Sequence, residues 1–348
     1  MSYQLALMRR ALELAAMGRV VDPNPRVGAV VTDTQGRVVG EGFHRGAGHP
    51  HAEVEALVTA GEDAAGGTAF VTLEPCDHQG RTGPCSEALL KAGVARVVYG
   101  QADPSPEASG GAARLRAAGV VVDGGLLGTA AGALNEAWTF AVTHGRPRVV
   151  WKFAATFDGR SAAADGTSQW ITGEAARADV HRWRALAGAI LVGTGTVLAD
   201  DPALTVRRPD GTLLEQQPLR VVVGRRDIAA AARVHDQDAP TLQVRERDPS
   251  RVLQLLAARG IRQVWLEGGP TLAGAFLAAG LVDEVIAYLA PALLGSGRSA
   301  VGDLGISTVA NLLRLHPHDV TTLGADIRVR ASIIDHHSKG TDQACSPE

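Results

Sequence analysis

Leu5, Met8, Leu12 and Ala15 fall on one face of a 3.6-residue repeat, which predicts an amphipathic first helix over 1–18. Arg9, Arg10 and Glu13 interrupt any apolar run long enough for a signal segment or a membrane span. A turn at Asp22-Pro23-Asn24-Pro25 then feeds an apolar strand ending at Val31. Thr32-Asp33-Thr34-Gln35-Gly36 has hairpin-turn composition, and a second strand resumes over 38–43. The pattern continues with a helix over 51–60 stopped by Gly61, a strand over 68–73 and a helix over 85–92. Strands at 94–99 and 120–123 follow, with helices near 110–118 and 128–143. Such alternation predicts a central sheet covered on both faces, with sites beyond the strand ends.

Around Gly145-Arg146-Pro147 the chain turns polar and a new set of strands begins, which places a boundary there. The expected domains are 1–145 and 146–348, with 335–348 a polar tail. Strands are expected at 148–155, 189–192, 220–223, 241–244, 263–266, 284–289 and 327–333. Gly193-x-Gly195-Thr196 and Glu267-Gly268-Gly269-Pro270-Thr271 each follow a strand, and the second opens a helix over 272–279. Glycine there leaves N–H groups free to cradle phosphate, yet such turns also simply begin helices. Neither fits a full dinucleotide G-x-G-x-x-G motif, so a Rossmann cofactor domain is not supported.

At 348 residues, with 45% hydrophobic and 20% charged, the chain is long enough for two ordinary cores. A net charge of −3 argues against broad nucleic-acid binding. Of three cysteines, Cys345 stands alone in the tail, so no disulfide framework is implied and a reducing cytoplasm fits. We expect no nucleic-acid or membrane partner, a small-molecule substrate and a homo-oligomer.

The other two cysteines change the picture. Zinc held by His51, Cys76 and Cys85 would leave its fourth tetrahedral position to water, the mark of a catalytic site. Glu53 lies two residues from the first ligand, within reach of that water, and the H-x-E…P-C…C order is that of zinc deaminases with a Glu acid/base. Pro75 and Pro84, each before a cysteine, suit chain turning into helix N-termini, whose dipoles favour thiolate. A closed structural site with His78 as fourth ligand is the bland alternative, but it gives Glu53 nothing to do.

Asn24-Pro25-x-Val27-Gly28, His51-Ala52-Glu53 and Leu73-Glu74-Pro75-Cys76-x-His78-x-Gly80-x-Thr82-x-Pro84-Cys85 resemble the deaminase half of the bifunctional riboflavin-biosynthesis deaminase/reductases. Lys152-Phe153-Ala154, Asp158-Gly159, Ser168-x-Trp170-Ile171-Thr172, Arg184, Gly193-x-Gly195-Thr196-Val197, Asp200-Asp201-Pro202, Leu204, Arg207 and Glu267-Gly268-Gly269 resemble its reductase half. The resemblance spans about 1–333 in the family's order. It implies a cytidine-deaminase-like α/β/α sandwich followed by a dihydrofolate-reductase-like α/β domain, with Zn2+ and NADPH. It also implies deamination of a diaminopyrimidinone ribose phosphate, then reduction of its ribosyl group to ribityl. Implied substrate contacts are Asn24, His44, His78 and Arg81 in the first half, and Ser168, Arg184, Leu204, Arg207 and Glu267 in the second. Implied NADPH contacts are Ala154, Trp170, Thr196, Asp200, Gly269, Pro270 and Thr271. Arg184 and Arg207 suit the ribose phosphate, because guanidinium offers a permanent forked charge. The reductase proton donor stays open between water, Lys152 and Asp200.

Four residues depart from the family pattern: Arg81 where relatives also use Lys, Gly83 for Pro, and Gly188 and Gly224 where Asp is common. Arg225 and Arg226 follow the last of these and are candidates for the cofactor's 2′-phosphate. Two rivals remain: a deaminase of free nucleotides or RNA with a ligand-binding second half, and a non-enzymatic module with structural zinc.

Overall fold

A computed structural model describes residues 3–79 and 83–334, and the chain divides into two compact units, Met1–Arg148 with Leu253–Gln263, and Val149–Val252 with Val264–Glu348.

The first unit runs α1 (Tyr3–Ala16), β1 (Gly28–Thr32), β2 (Val38–Phe43), α2 (Ala52–Ala60), β3 (Thr68–Leu73) and α3 (Cys85–Lys91). It continues with β4 (Arg96–Gln101), α4 (Gly111–Ala117), β5 (Val121–Gly124), α5 (Gly128–Leu134) and α6 (Glu136–His144). The sheet order is β2-β1-β3-β4-β5, with β1 antiparallel to both neighbours and β3, β4 and β5 parallel. β1 is buried throughout, and its side chains alternate between two cores. Ala29 and Val31 join Ala56 of α2, Leu89 of α3 and Leu115 of α4, whereas Val30 joins Leu7, Met8, Ala11 and Leu14 of α1. This is the expected sheet between helical layers. Each fully buried Leu or Val in it contributes roughly 1.5–3 kcal/mol of transfer free energy.

Two local features differ from expectation, and both serve the site. The single helix expected near 128–143 is broken at Asn135 (φ −116°), between α5 and α6. The buried Asn135 amide accepts from Arg26 N at 2.8 Å and donates to Arg26 O at 2.9 Å, holding the strand approach that carries Asn24. Cys76 does not begin a helix. It lies in irregular chain after β3, while Cys85, behind Pro84 at the N-cap, does open α3. A Cβ on Gly111 would come within 1.8 Å of Pro75 O, so glycine alone lets α4 begin against the backbone that presents Cys76.

The second unit comprises β6 (Arg148–Thr156), β7 (Arg160–Ala162), α7 (Glu174–Arg184), β8 (Ala189–Gly193), α8 (Thr194–Asp200), β9 (Leu219–Val223) and β10 (Thr241–Val244). β11 (Gln263–Leu266), α10 (Pro270–Ala278), β12 (Glu284–Ala290), β13 (Arg298–Ser299), β14 (Leu315–Leu323) and β15 (Asp326–Ile333) complete it, and α9 (Pro249–Ala257), between β10 and β11, counts with the first unit from Leu253 on. Its main sheet is mixed, in the order β10-β9-β8-β11-β6-β12-β15-β14, with a small β7–β13 ribbon apart. The apolar central strands β8 and β11 are the ones their continuous hydrophobic runs predict. Buried Asp179 of α7 accepts hydrogen bonds from Tyr288 Oη (2.8 Å), Arg328 Nη1 (2.9 Å) and Trp183 Nε1 (3.2 Å), tying α7 to β12 and β15. Among the described residues no helix is long and apolar enough to cross a membrane.

Candidate functional site

In the first unit three sequence-distant ligands converge. His51 is the N-cap of α2, Cys76 follows β3 and Cys85 starts α3. Their ligand atoms all lie within 4.8 Å of one another, and they are the one such group of His, Cys and acidic residues among the described residues. His51 Nδ1 is 3.1 Å from Cys85 Sγ and 3.5 Å from Cys76 Sγ. A nitrogen and a sulfur on one tetrahedral zinc sit about 3.6 Å apart, so the cluster fits the metal with small adjustments. His78 is not part of the cluster, which removes the support for a closed four-ligand site.

Protonation fits the same use. The hydrogen bond from Cys85, helped by His51 and opposed by burial, pushes the Cys76 thiol down toward thiolate. Glu53, in the first turn of α2, is 4% exposed. Burial pushes its carboxyl up to about 7, against the pull of His51, so it is poised to hold and release a proton near neutrality.

The substrate residues expected in this half are partly assembled. Asn24 Nδ2 lies 3.0 Å from His44 Nε2, and His44 Nδ1 lies 2.9 Å from Pro50 O. With Nδ1–H donated to Pro50 O, Nε2 accepts from the Asn24 amide; burial lowers the His44 pKa, so the ring is neutral. Its ring stands edge-on to His51, centroids 5.3 Å apart. His78 Nδ1 is buried without a hydrogen-bond partner, a free polar atom beside the metal ligands' loop. Arg81 lies outside the described residues.

Sequence reasoning missed Asp103, just past the end of β4. Burial first, then the charges of Glu74 and Cys76, raise its carboxyl to about 6. Its position beyond the carboxyl end of a strand beside β3 was the available signal.

The second unit carries a cleft of about 1480 Å³. Every residue expected to touch cofactor or substrate in this half lines it: Ala154, Ser168, Trp170, Arg184, Thr196 and Asp200, then Leu204, Arg207, Glu267, Gly269, Pro270 and Thr271. They come from β6, the loop before α7, α7 itself, α8 and the loop after it, and the turn from β11 into α10. Gly269 is the N-cap of α10, with Pro270 at its first position, so backbone N–H groups open onto the cleft. A trough of this size between a glycine-capped helix and polar side chains fits a dinucleotide.

Two side chains there do not stand as expected. Arg184, expected to be free for phosphate, already forks onto Glu267 and donates through Nη1 to Thr205 O at 3.0 Å. Arg207 is the more exposed of the two, donating to Gly211 O at 3.2 Å and pairing with the carboxylate of Asp238 at 3.5 Å. Lys152 also lines the cleft; burial lowers its pKa, Glu267 raises it and Arg184 lowers it again.

An open three-ligand metal cluster with a buried carboxyl in an α/β/α unit, joined to a mixed-sheet unit with a dinucleotide-sized cleft, defines a two-headed deaminase and reductase. Comparisons with known proteins agree half by half. The cytidine and deoxycytidylate deaminase zinc-binding region matches residues 1–101, and the RibD C-terminal domain matches 147–329. The riboflavin biosynthesis protein RibD of Mycobacterium tuberculosis is 55% identical over 307 residues, covering 88% of this chain and 90% of that one. The Escherichia coli RibD is 43% identical, covering 92% and 96%. The solved Acinetobacter baumannii RibD superposes with TM-score 0.86 at 40% identity, covering 95% of this chain and 99% of that one. A Thermotoga maritima diaminohydroxyphosphoribosylaminopyrimidine deaminase/5-amino-6-(5-phosphoribosylamino)uracil reductase gives 0.84 at 34% identity, with the same coverage. The chain belongs to the RibD family of riboflavin biosynthesis proteins. It is a bifunctional enzyme of riboflavin biosynthesis, with zinc serving its deaminase half and NADPH its reductase half.

Proposed function

We propose that residues 1–145 deaminate 2,5-diamino-6-(5-phosphoribosylamino)pyrimidin-4(3H)-one and that 146–348 then reduce the ribosyl side chain of the product to ribityl. The observation that carries the first step is the convergence of His51, Cys76 and Cys85 beside the buried Glu53. Zinc on those three ligands supplies the Lewis acidity that makes water a nucleophile near neutral pH. Glu53 takes a proton from the attacking water, passes it to the ring nitrogen next to C2, and delivers a proton to the departing amine. Water is consumed and ammonia released. Asn24 and neutral His44 hold the pyrimidine, His78 offers its unpartnered Nδ1, and Arg81 carries the phosphate.

In the second half bound NADPH would supply the hydride needed at C1′ of the opened ribose. Ala154, Trp170, Thr196, Asp200 and the Gly269–Pro270–Thr271 turn hold the cofactor. Ser168, Leu204 and Arg207 hold the substrate, with Arg207 taking the phosphate. Arg184 and Glu267 act as a pair, each fixing the other's orientation in the cleft. As proton donor we favour Lys152, half-buried in the cleft, over the exposed Asp200.

We place the enzyme in the cytoplasm as a homo-oligomer: the cysteine usage supports a reducing compartment, and the long exposed edge of β14 offers a surface for a second copy. Metal analysis of Cys85→Ser tests the deaminase reading. Loss of bound zinc together with deamination supports it; deamination persisting without zinc contradicts it.

A further inference from the structure

We propose that His181 is a positioning residue of the reductase: its ring holds the backbone of Arg207 and so aims that arginine at the substrate, a role that rests on the reading of Arg207 as the phosphate ligand. His181 is half-buried on α7, one turn before Arg184, and lines the cleft. Its Nδ1 accepts the backbone N–H of Arg207 at 3.2 Å. Residues at i and i+3 share a helix face, so His181 and Arg184 reach the same stretch of chain, where Arg184 Nη1 donates to Thr205 O at 3.0 Å.

That stretch, 204–207, has a backbone that needs fastening. Leu204 stands at φ +50°, a left-handed conformation that a non-glycine residue keeps only where its surroundings over-determine it. Side chains from both flanks do so. Arg184 takes the Thr205 carbonyl, and the Gln217 amide accepts from Val206 N at 2.7 Å and donates to Val206 O at 2.9 Å. His181 then takes Arg207 N, the last of these ties before the chain folds back with Arg207 bridged to Leu213. The bond therefore fixes the backbone from which the Arg207 guanidinium reaches into the cleft.

The bond demands a neutral ring. With Nδ1 accepting, the imidazole proton sits on Nε2, and a second proton on Nδ1 would turn the acceptor into a donor facing another N–H. The surroundings oppose that proton. Burial lowers the His181 pKa, Arg184 on its own helix lowers it further, Glu267 at the end of β11 raises it, Arg207 lowers it again and the Thr205 backbone raises it, leaving it below the ordinary value. Glu267 is already forked onto Arg184, so a cation at His181 would meet two guanidinium groups and a carboxylate that is spoken for. Acidification below the ordinary histidine value of about 6.5 should loosen Arg207.

The test is steady-state NADPH oxidation with the deaminated substrate by the full-length enzyme, unaltered and as His181→Ala, His181→Asn and Arg207→Ala, at about pH 7.5 and about pH 5.5, either side of the ordinary histidine value. At the higher pH, His181→Ala should raise the substrate KM roughly three- to tenfold, the worth of one hydrogen bond, with kcat and the NADPH KM within about twofold. The amide oxygen of His181→Asn stands where Nδ1 does, so this variant should keep the substrate KM within about twofold of the unaltered enzyme. The unaltered-to-Asn ratio of substrate KM, in which protonation of the substrate phosphate cancels, should then climb several-fold at the lower pH. Substrate and NADPH KM rising together in His181→Ala, or an Asn variant no better than Ala, overturns the proposal. Should His181→Ala fail to fold, the unaltered-to-Asn ratio decides, and a ratio indifferent to pH overturns it. A rise in Arg207→Ala with none in His181→Ala overturns the proposal and leaves the phosphate reading standing. An unchanged substrate KM in Arg207→Ala overturns both.

Discussion

Arg184 at the end of α7 and Glu267 at the end of β11 meet as a two-pronged pair inside the second unit, Nε to Oε1 at 2.5 Å and Nη2 to Oε2 at 2.7 Å. Both side chains are largely buried, at 15% and 11% exposure. Breaking such a pair strands a charge in a low-dielectric setting, which costs about 3–5 kcal/mol. Arg184→Ala should lower the melting temperature of the reductase unit by several degrees and abolish ribosyl reduction. Thermal melts of that variant check the first, and NADPH oxidation the second.

The same pair predicts an acid limb. Burial raises the Glu267 pKa, but the charge and hydrogen bonds of Arg184, with Lys152 and Trp265, overcome it and hold it at about 2. A carboxylate whose pKa is lower folded than unfolded stabilises the fold fully above its unfolded value, about 4.5. That stability drains away as the pH falls from there toward 2. Melts of the unaltered enzyme between pH 7 and 3 should drop steeply below about pH 4.5, and Glu267→Gln should flatten that limb.

In the deaminase half, Glu53→Gln keeps the shape of the side chain and removes its proton traffic. Deamination should fall by about 10²–10⁴-fold with zinc content unchanged, while NADPH-dependent reduction of supplied deaminated substrate continues. Metal analysis beside the two separate assays reads this, and unaltered deamination would remove Glu53 from the mechanism.

Asn135→Ala cuts both hydrogen bonds to the Arg26 backbone and should cost about 1–3 kcal/mol. Because the Arg26 segment carries Asn24, KM for deamination should rise more than kcat falls. An equal fall in kcat at constant KM would place the role of Asn135 elsewhere.

Much of this was legible in the sequence. The His-x-Glu…Pro-Cys…Pro-Cys pattern marked His51, Cys76 and Cys85, which the fold brings together, and the strands β3, β10 and β11 were expected over the residues they occupy. β14 was invisible because its sequence, Leu-His-Pro-His-Asp-Val-Thr-Thr-Leu, is polar and mostly exposed, as an edge strand can be, with a register shift between Pro317 and Asp319. The expected helix start at Cys76 failed because chain there packs against the Gly111 backbone, a contact no local pattern records. Arg184 looked like a phosphate ligand because its partner lies 83 residues away, and pairing at that distance needs the fold.

The most direct test of the two-headed reading is mass spectrometry of the diaminopyrimidinone ribose phosphate incubated with the zinc-loaded enzyme, first without and then with NADPH. Exchange of an amino group for oxygen without NADPH, followed by a gain of two hydrogens once NADPH is added, is the predicted result. A tightly zinc-loaded enzyme that leaves the substrate mass unchanged in both incubations would contradict it.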